Sequence, residues 1–532
     1  MFDLSAMSAP RLVGRDDLLQ SMHTHLNEGV LIVSRRGGVG IGATALARRL
    51  ATEVLEAYPD GCIEINLRGN VSGSQAQPAP GHVHRRVLMM LNPEARLPEE
   101  PRTLRKQYLE TLSERKVLLI LDNVASATQL RALLPRSGST AIVISQSDLA
   151  SSFPRLHTIT LEGLTADDLY HLVVQSAPEA ANLSRQAVRR IADRLNGNPL
   201  ALRIVAPLMD LPNQLSPRKL LHDLELAQQR VVALRGSQTT DTPIDAALEI
   251  SYDFLDFGLK QIFEALAIFP APFTESAAAA VWRISITEAR DLLARLSHLA
   301  LVDHHTASAL YEVHQRVRSF AEELLLGQPE RSEELVSHYV EHYLRTAIQA
   351  GSTLSIRPSR NKNQKLDAYA IWEHIPIAWC RLTGEDPGWP KPSGMDRWVR
   401  DFPLQSRPLL DMLLSRTEYR DWLTLALSAA EIESNPRTLG AHLGALGQAY
   451  AELGEHKIAL IYFERQITVA QEAGARDIEA EAFMYAGSSY GALGHIQRAR
   501  DSWRKALAIL ELMGDQRAER ARQWLAQLQK SP

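Results

Sequence analysis

Gly37-Gly38-Val39-Gly40-Ile41-Gly42-Ala43-Thr44 decides how the rest of this sequence reads. The apolar run Val30-Leu31-Ile32-Val33 precedes it, and Ala45-Leu46-Ala47-Arg48-Arg49-Leu50, a good helix opening, follows. Strand, glycine-rich turn and helix in that order are the setting of a phosphate-binding loop. Glycines let successive backbone N–H groups point inward at phosphate, and the helix N-terminus adds a favourable dipole. Against the pattern G-x-x-x-x-G-K-[S/T], Gly37 and Gly42 fill the glycine positions and Thr44 the magnesium hydroxyl position, but Ala43 stands where the lysine belongs. Moving the register so that Gly40 takes the second glycine position puts Ile41 there instead. No alignment restores an amine.

Around this loop, apolar runs alternate with helical patterns between Val30 and Thr160: Ile63-Glu64-Ile65-Asn66-Leu67, Val117-Leu118-Leu119-Ile120-Leu121 and Ala141-Ile142-Val143-Ile144. Short leucine-rich or β-branched runs bounded by turn formers predict buried strands of a parallel sheet in an α/β domain. The third run delivers Asp122 to its C-terminal end, where such sheets hold magnesium. A strand ending in Asp is common by itself; paired with the glycine loop it points to a nucleotide site. From Leu164 onward helical spacing takes over. Polar or proline-rich stretches at 236–243, 358–365 and 386–394 read as linkers or loops.

The last hundred residues repeat. Gly447, Tyr450, Leu453, Gly454, Ala459 and Gly474 return forty positions later as Gly487, Tyr490, Leu493, Gly494, Ala499 and Gly514, with Phe463 answered by Trp503. Each unit predicts a helical hairpin with the Leu-Gly pair at its turn and the alanine where the helices pack closely. The pattern resembles the tetratricopeptide repeat with a spacer longer than its usual ~34 residues. Arg420 to Asn435 is a candidate for a degenerate earlier copy, because about three hairpins are needed for a continuous core.

Length and composition bound the rest. A chain of 532 residues predicts several domains, and 45% hydrophobic against 23% charged residues is the balance of a folded globular protein. With 58 basic and 62 acidic residues the net charge of -4 gives no chain-wide attraction to nucleic acid or anionic lipid. Only Cys62 and Cys380 occur, which excludes a disulfide framework and fits a reducing cytoplasm. No run of about 18 uncharged apolar residues predicts a membrane span, and no export leader is read at the start. His82 and His84 alternate without further ligands nearby, so no metal site is expected there.

Taken as an ordered series, further segments add to the loop: Leu12-Val13-Gly14-Arg15-Asp16, Pro59 to Gly69, Leu121-Asp122-Asn123 with Gln129, Leu133, Leu134 and Pro135, and Leu195-Asn196-Gly197-Asn198-Pro199-Leu200-Ala201-Leu202. Ser251-Tyr252-Asp253-Phe254-Leu255, Phe269-Pro270 and Tyr311-Glu312-Val313-His314-Gln315 complete it. Across residues 11 to 325 this series resembles the NB-ARC type of STAND ATPase, especially the bacterial kind found in actinobacterial antibiotic-type regulators. The resemblance implies a multidomain α/β plus α chain. Its parts would be a parallel-sheet P-loop domain (1–160), a helical domain (161–240), a winged helix (241–328), a helical linker region (329–400) and a tetratricopeptide-like solenoid (401–532). It implies ADP or ATP with magnesium as cofactor, bound weakly or not at all. Val13, Gly14 and Arg15 would lie beside the adenine, Gly37, Gly40, Gly42 and Ala43 around the phosphates, and Pro199 near the base. His314 would stand in the Met-His-Asp triplet, and Thr44 and Asp122 would hold the metal, with Asp122 the candidate catalytic group.

Three departures from the family pattern are expected to matter: Ala43 for the lysine, Gln146 for the sensor arginine and Val313-His314-Gln315 for Met-His-Asp. A charge-assisted hydrogen bond contributes roughly 1.5 to 3 kcal/mol, so loss of the lysine alone would weaken binding about ten- to 150-fold. Hydrolysis would suffer more, since phosphoryl transfer relies on cations that neutralise developing charge. The leading expectation is a non-hydrolysing or very slow regulatory scaffold that binds a protein or peptide through its repeats. No separate effector domain is expected ahead of Val13, so output would pass through that partner or through self-assembly into a homo-oligomer. Two alternatives stand beside it. One is an ATP-driven switch in which Arg35 or Arg36 replaces the lysine. The other is a transcription regulator that binds DNA through the winged helix, for which no dense basic recognition helix appears around Ser285 to Val302. Neither a membrane nor nucleic acid is the expected partner.

Overall fold

Val33 lies between Ile144 and Ile159 in a sheet whose strands all run parallel. The computed structural model describes residues 12–26, 31–35, 38–67, 78–92, 95, 97–154, 156–177, 184–209, 216–235, 241–356, 371–433 and 435–530. The strands are β1 (Leu31–Arg35), β2 (Cys62–Asn66), β3 (Leu118–Val124), β4 (Thr140–Ser145) and β5 (His157–Leu161), in the order β2-β3-β4-β1-β5. Four match the apolar runs. The fifth, β5, alternates half-buried with buried residues because it is an edge strand, and a search for continuous apolar runs passes over it.

Helices cover both faces, because every residue of β3 is buried and its side chains alternate. Leu118 and Ile120 pack with α1 (Asp16–Leu26) and α2 (Ala43–Val54). Leu119 and Leu121 pack with α3 (Pro80–Leu91), α4 (Pro101–Ser113) and α5 (Ala127–Leu133). His84, on α3, is buried against the Tyr108 ring and bonded to the Ala132 carbonyl, a core histidine. Parallel strands joined this way open the loop after β1 and the end of β3 at the same edge of the sheet.

Five helices follow: α6 (Ala166–Ser176), α7 (Arg185–Arg194), α8 (Pro199–Val205), α9 (Pro217–Arg235) and α10 (Thr242–Asp253). Then come α11 (Phe257–Ala265), α12 (Glu275–Trp282), α13 (Ile286–His298) and α14 (Gln315–Leu326), with a small antiparallel sheet, β6 (Phe273–Thr274), β8 (Leu310–Glu312) and β7 (Asp303–His305). This is the helix and wing arrangement that the resemblance implies. Arg316 of α14 grips Asp245 of α10 through two 2.6 Å bonds. Helices α15 (Pro329–Ile356) and α16 (His374–Thr383) come next, and Arg381 of α16, fully buried, donates to the Ile268 carbonyl. The loop after α16 is ordered, since Asp386 and Trp389 are buried around that guanidinium.

The chain divides into two compact units, one of Met1–Tyr343 with Asn361–Lys391 and one of Leu344–Arg360 with Pro392–Pro532. The second unit holds α17 (Asp396–Gln405), α18 (Arg407–Leu413), α19 (Arg416–Glu433), α20 (Pro436–Glu452), α21 (His456–Glu472), α22 (Arg476–Ala492), α23 (Ile496–Met513) and α24 (Arg517–Lys530). Gly454 and Gly494 turn the hairpins with φ of 81° and 77°, a region that costs most side chains strain. Gly447 faces the Phe463 ring and Gly487 the Trp503 ring so closely that a Cβ on either would fall within 2.5 Å of it. Glycine at these positions is space for an aromatic ring. Ala459 and Ala499 are buried at the helix contacts, and α19 packs against α20 as the earlier helix of the stack.

Candidate functional site

The loop after β1 alternates glycines in the left-handed region, Gly38, Gly40 and Gly42, with φ of 84°, 78° and 94°. Gly42 is the residue before α2, with open space around the position a Cβ would take. Gly37 lies outside the described residues, as does Arg36, and Arg35 is described only as the last residue of β1. Ala43 is the first residue of α2 and is buried, so a methyl group occupies the place of the expected amine.

Thr44 points its hydroxyl at β3 and donates to Asp122 Oδ2 at 2.8 Å. The other carboxylate oxygen accepts from the backbone N–H of Asn123 at 2.7 Å. Asn123, at φ 56°, donates its side-chain amide to Asn66 on β2 at 3.0 Å. The hydroxyl and carboxylate that the sequence pairs across some eighty positions are therefore in direct contact.

The segment before α8 closes the loop from the other side. Asn198 caps α8 by accepting from the N–H groups of Leu200 and Ala201, and its amide donates to the Val39 carbonyl at 2.8 Å. Leu200 N–H reaches the Gly40 carbonyl at 3.3 Å, and a Cβ on Gly40 would fall 2.7 Å from the Leu200 Cβ. Pro199 follows at the first helical position. Arg15 donates to the carbonyls of Glu162, at 2.7 Å, and Ile41, at 3.5 Å, and burial lowers its pKa. Gly14 lies against the Asp168 carboxylate, with no room for a side chain.

These elements enclose a cavity of about 550 Å³, within the range of small-molecule sites. Val13, Arg15, Gly40, Gly42, Ala43, Thr44, Asp122, Pro199 and His314 all line it, so the structure gathers most of the residues singled out from sequence. Gly14 stands behind that lining. His314 caps α14 by accepting from Arg316 N–H at 3.2 Å, and Gln315 beside it also faces the cavity. Gln146 does not: it is exposed just after β4 and is absent from the lining.

The far wall comes from the wing, and here the sequence reading missed the charged groups. Arg48, one turn into α2, donates from Nε and Nη2 to both oxygens of Glu64 on β2, each at 2.8 Å. Its Nη1 and Nη2 also reach Glu312 on β8, at 2.9 and 3.1 Å. His305 Nε2 lies 2.8 Å from Glu312. Burial, the largest influence on Arg48, would lower its pKa, but Glu312 and then Glu64 raise it well above the usual value. Glu312 sits well below the usual carboxylate range: Arg48 and His305 together outweigh the opposing burial. Glu64, the less exposed of the two carboxylates and close to Glu312 and Asp122 as well, is pushed up by burial. The one sequence signal was Glu64 itself, a charge between Ile63 and Ile65 in a strand of the sheet.

Four arginines line the cavity, and each has a partner. Besides Arg15 and Arg48, Arg203 pairs with Asp303 at 2.8 Å and Arg318 donates to the Pro270 carbonyl at 2.8 Å. Among the described residues no group of three or more His, Cys, Asp or Glu could hold a metal by itself, and no helix is long and apolar enough to cross a membrane.

No family model matches the chain. The regulatory protein AfsR of Streptomyces griseus is 26% identical over 349 residues, 64% of this chain and 35% of that protein. AfsR of Streptomyces coelicolor is 28% identical over 297 residues, 55% and 29% of the two chains. The disease resistance protein RPS4B of Arabidopsis thaliana is 25% identical over 260 residues, 46% and 21%. The chain thus spans about a third of the length of the AfsR proteins it matches. A solved STAND protein with a tetratricopeptide repeat sensor, from Pyrococcus horikoshii, aligns with a TM-score of 0.46 at 14% identity, covering 97% of this chain and 86% of that one. In sequence the chain is thus similar to these regulatory and disease resistance proteins, and its parallel sheet, helices, wing and helical repeats follow in the order expected of the NB-ARC type of STAND P-loop proteins that its motifs resemble.

Proposed function

We propose that this protein is a regulatory STAND relative that binds ADP or ATP through a degenerate loop without turning it over at rates ordinary for the class, and passes its state to a protein or peptide partner through the repeats. The observation that carries this reading is the buried Ala43 beside the intact Thr44–Asp122 pair. The backbone cradle and the metal-binding hydroxyl and carboxylate remain; the cation at the phosphate position does not. Magnesium fits this donor set only together with nucleotide, because one carboxylate and one hydroxyl leave most of an octahedral shell to phosphate and water. Held by Thr44 and Asp122, it would supply charge neutralisation to the phosphates, while the chain's own part is to hold the loop amides and Asp122 in position. Arg290 and Arg295 on α13 are each paired, with Glu275 and Asp256, which speaks against a free basic face for DNA.

Heating the purified protein to release bound nucleotide, then titrating ATP and ADP calorimetrically with magnesium, tests the reading. Binding without turnover is the expected result. Turnover at rates ordinary for the class, abolished by Asp122→Asn, would overturn it.

A further inference from the structure

We propose that Arg48 is the group that reads phosphate in this cavity in place of the missing lysine, and that the Glu312 carboxylate holds its place until nucleotide arrives. The proposal rests on the reading that the cavity takes a nucleotide. Side chains four apart on a helix share a face, so Arg48 stands on the face of α2 that carries Thr44. Both line the same cavity. A guanidinium presents a planar fork of donors that fits carboxylate and phosphate alike, so the two anions compete for it directly.

The two carboxylates on Arg48 are not equivalent. Glu64 stands on β2, in the same core as α2, and grips one edge of the guanidinium. Glu312 crosses from the wing, 264 positions along the chain and two residues before His314, and takes the remaining edge. It is an anion supplied by the protein in a cavity whose loop is shaped for anions. On leaving Arg48 it keeps one hydrogen-bond partner, His305 Nε2 at 2.8 Å. Seating of the wing and binding of phosphate therefore draw on one guanidinium, and each weakens the other by the same factor.

Calorimetric titration of the full-length, nucleotide-stripped chain with magnesium-ATP tests this. Glu312→Gln is expected to tighten ATP about tenfold or more and Arg48→Gln to weaken it by a similar factor, with Arg48→Lys between. In the double variant the gain from Glu312→Gln should vanish, because its only route is through Arg48. Unchanged affinity in Glu312→Gln, or the same gain without Arg48, would overturn the assignment while leaving the nucleotide site standing. Silence of both the wild type and Glu312→Gln toward ATP and ADP up to millimolar, with both folded by circular dichroism, would overturn the nucleotide site and Arg48 together. Should the Arg48 variants not fold, wild type against Glu312→Gln decides the matter alone.

Discussion

In the cavity wall, Arg48 joins Glu64 and Glu312 through charged hydrogen bonds that reach 16 and 264 positions along the chain. In the repeats, Gly447 meets Phe463 and Gly487 meets Trp503 through apolar contact between neighbouring helices of one hairpin. The first contact is polar, non-local and single; the second is apolar, local and repeated. Burying charge costs several kcal/mol per ion, returned only while every partner is present, whereas apolar packing is lost in proportion to what is removed. The cavity is thus built to respond as a unit and the repeats to yield piecemeal.

The hardest way to break that contrast is Arg48→Ala. It leaves Glu64 and Glu312 buried against each other, a loss of about 3–5 kcal/mol. Hydrogen exchange of the full chain should quicken across α2 and β8 and stay unchanged across α20–α24; protection retained in α2 would contradict it.

Acid blurs the contrast from the other side, because the repeats bury a titratable group, His442, whose Nδ1 has no hydrogen-bond partner. His442 on α20 is almost fully buried, and burial pushes its pKa down to about 4, with Asp401 and Arg400 acting weakly in opposite senses. Between the unfolded value near 6.5 and the folded value near 4, the unfolded chain binds the extra proton. Stability of the second unit should therefore be full above pH 6.5 and fall by about 3 kcal/mol as pH drops to 4. His442→Leu should flatten that slope, read as hydrogen exchange of α20 and α21 against pH. Glu312 should not follow it, since its carboxyl sits well below the usual range and its contribution is lost only below the unfolded value of 4.5.

The smallest effect sharpens the repeat side. Gly487→Ala places a Cβ about 2.4 Å from Trp503 Nε1, which donates to the Met484 carbonyl at 3.0 Å. The ring must shift, at a cost of about 1–3 kcal/mol. The effect should stay within α22–α24 and show as a change in Trp503 fluorescence.

Legibility follows the same division. The strands β1 to β4, the loop, the Thr44–Asp122 pairing and the hairpin turns were readable because each rests on a local pattern: an apolar run, glycine spacing, a strand ending in Asp, identities at a fixed offset. The edge strand β5 was not, because its sequence alternates where a search for continuous apolar runs looks. Ala43, Gln146 and Gln315 looked like one joint loss; the fold keeps Ala43 and Gln315 at the cavity and leaves Gln146 exposed outside it. Arg35 and Arg36 adjoin the loop in sequence but their side chains lie outside the described residues, whereas Arg48, which no local motif marks, lines the cavity.

By itself the sequence determined that this chain has a parallel-sheet phosphate loop without its lysine and a stack of helical hairpins, since period, spacing and residue type fix those locally. Only the tertiary structure decided what stands across the cavity from the loop. Glu312, with His305 beside it, meets Arg48 from the wing, and a contact spanning 264 positions leaves no periodic trace for the sequence to show.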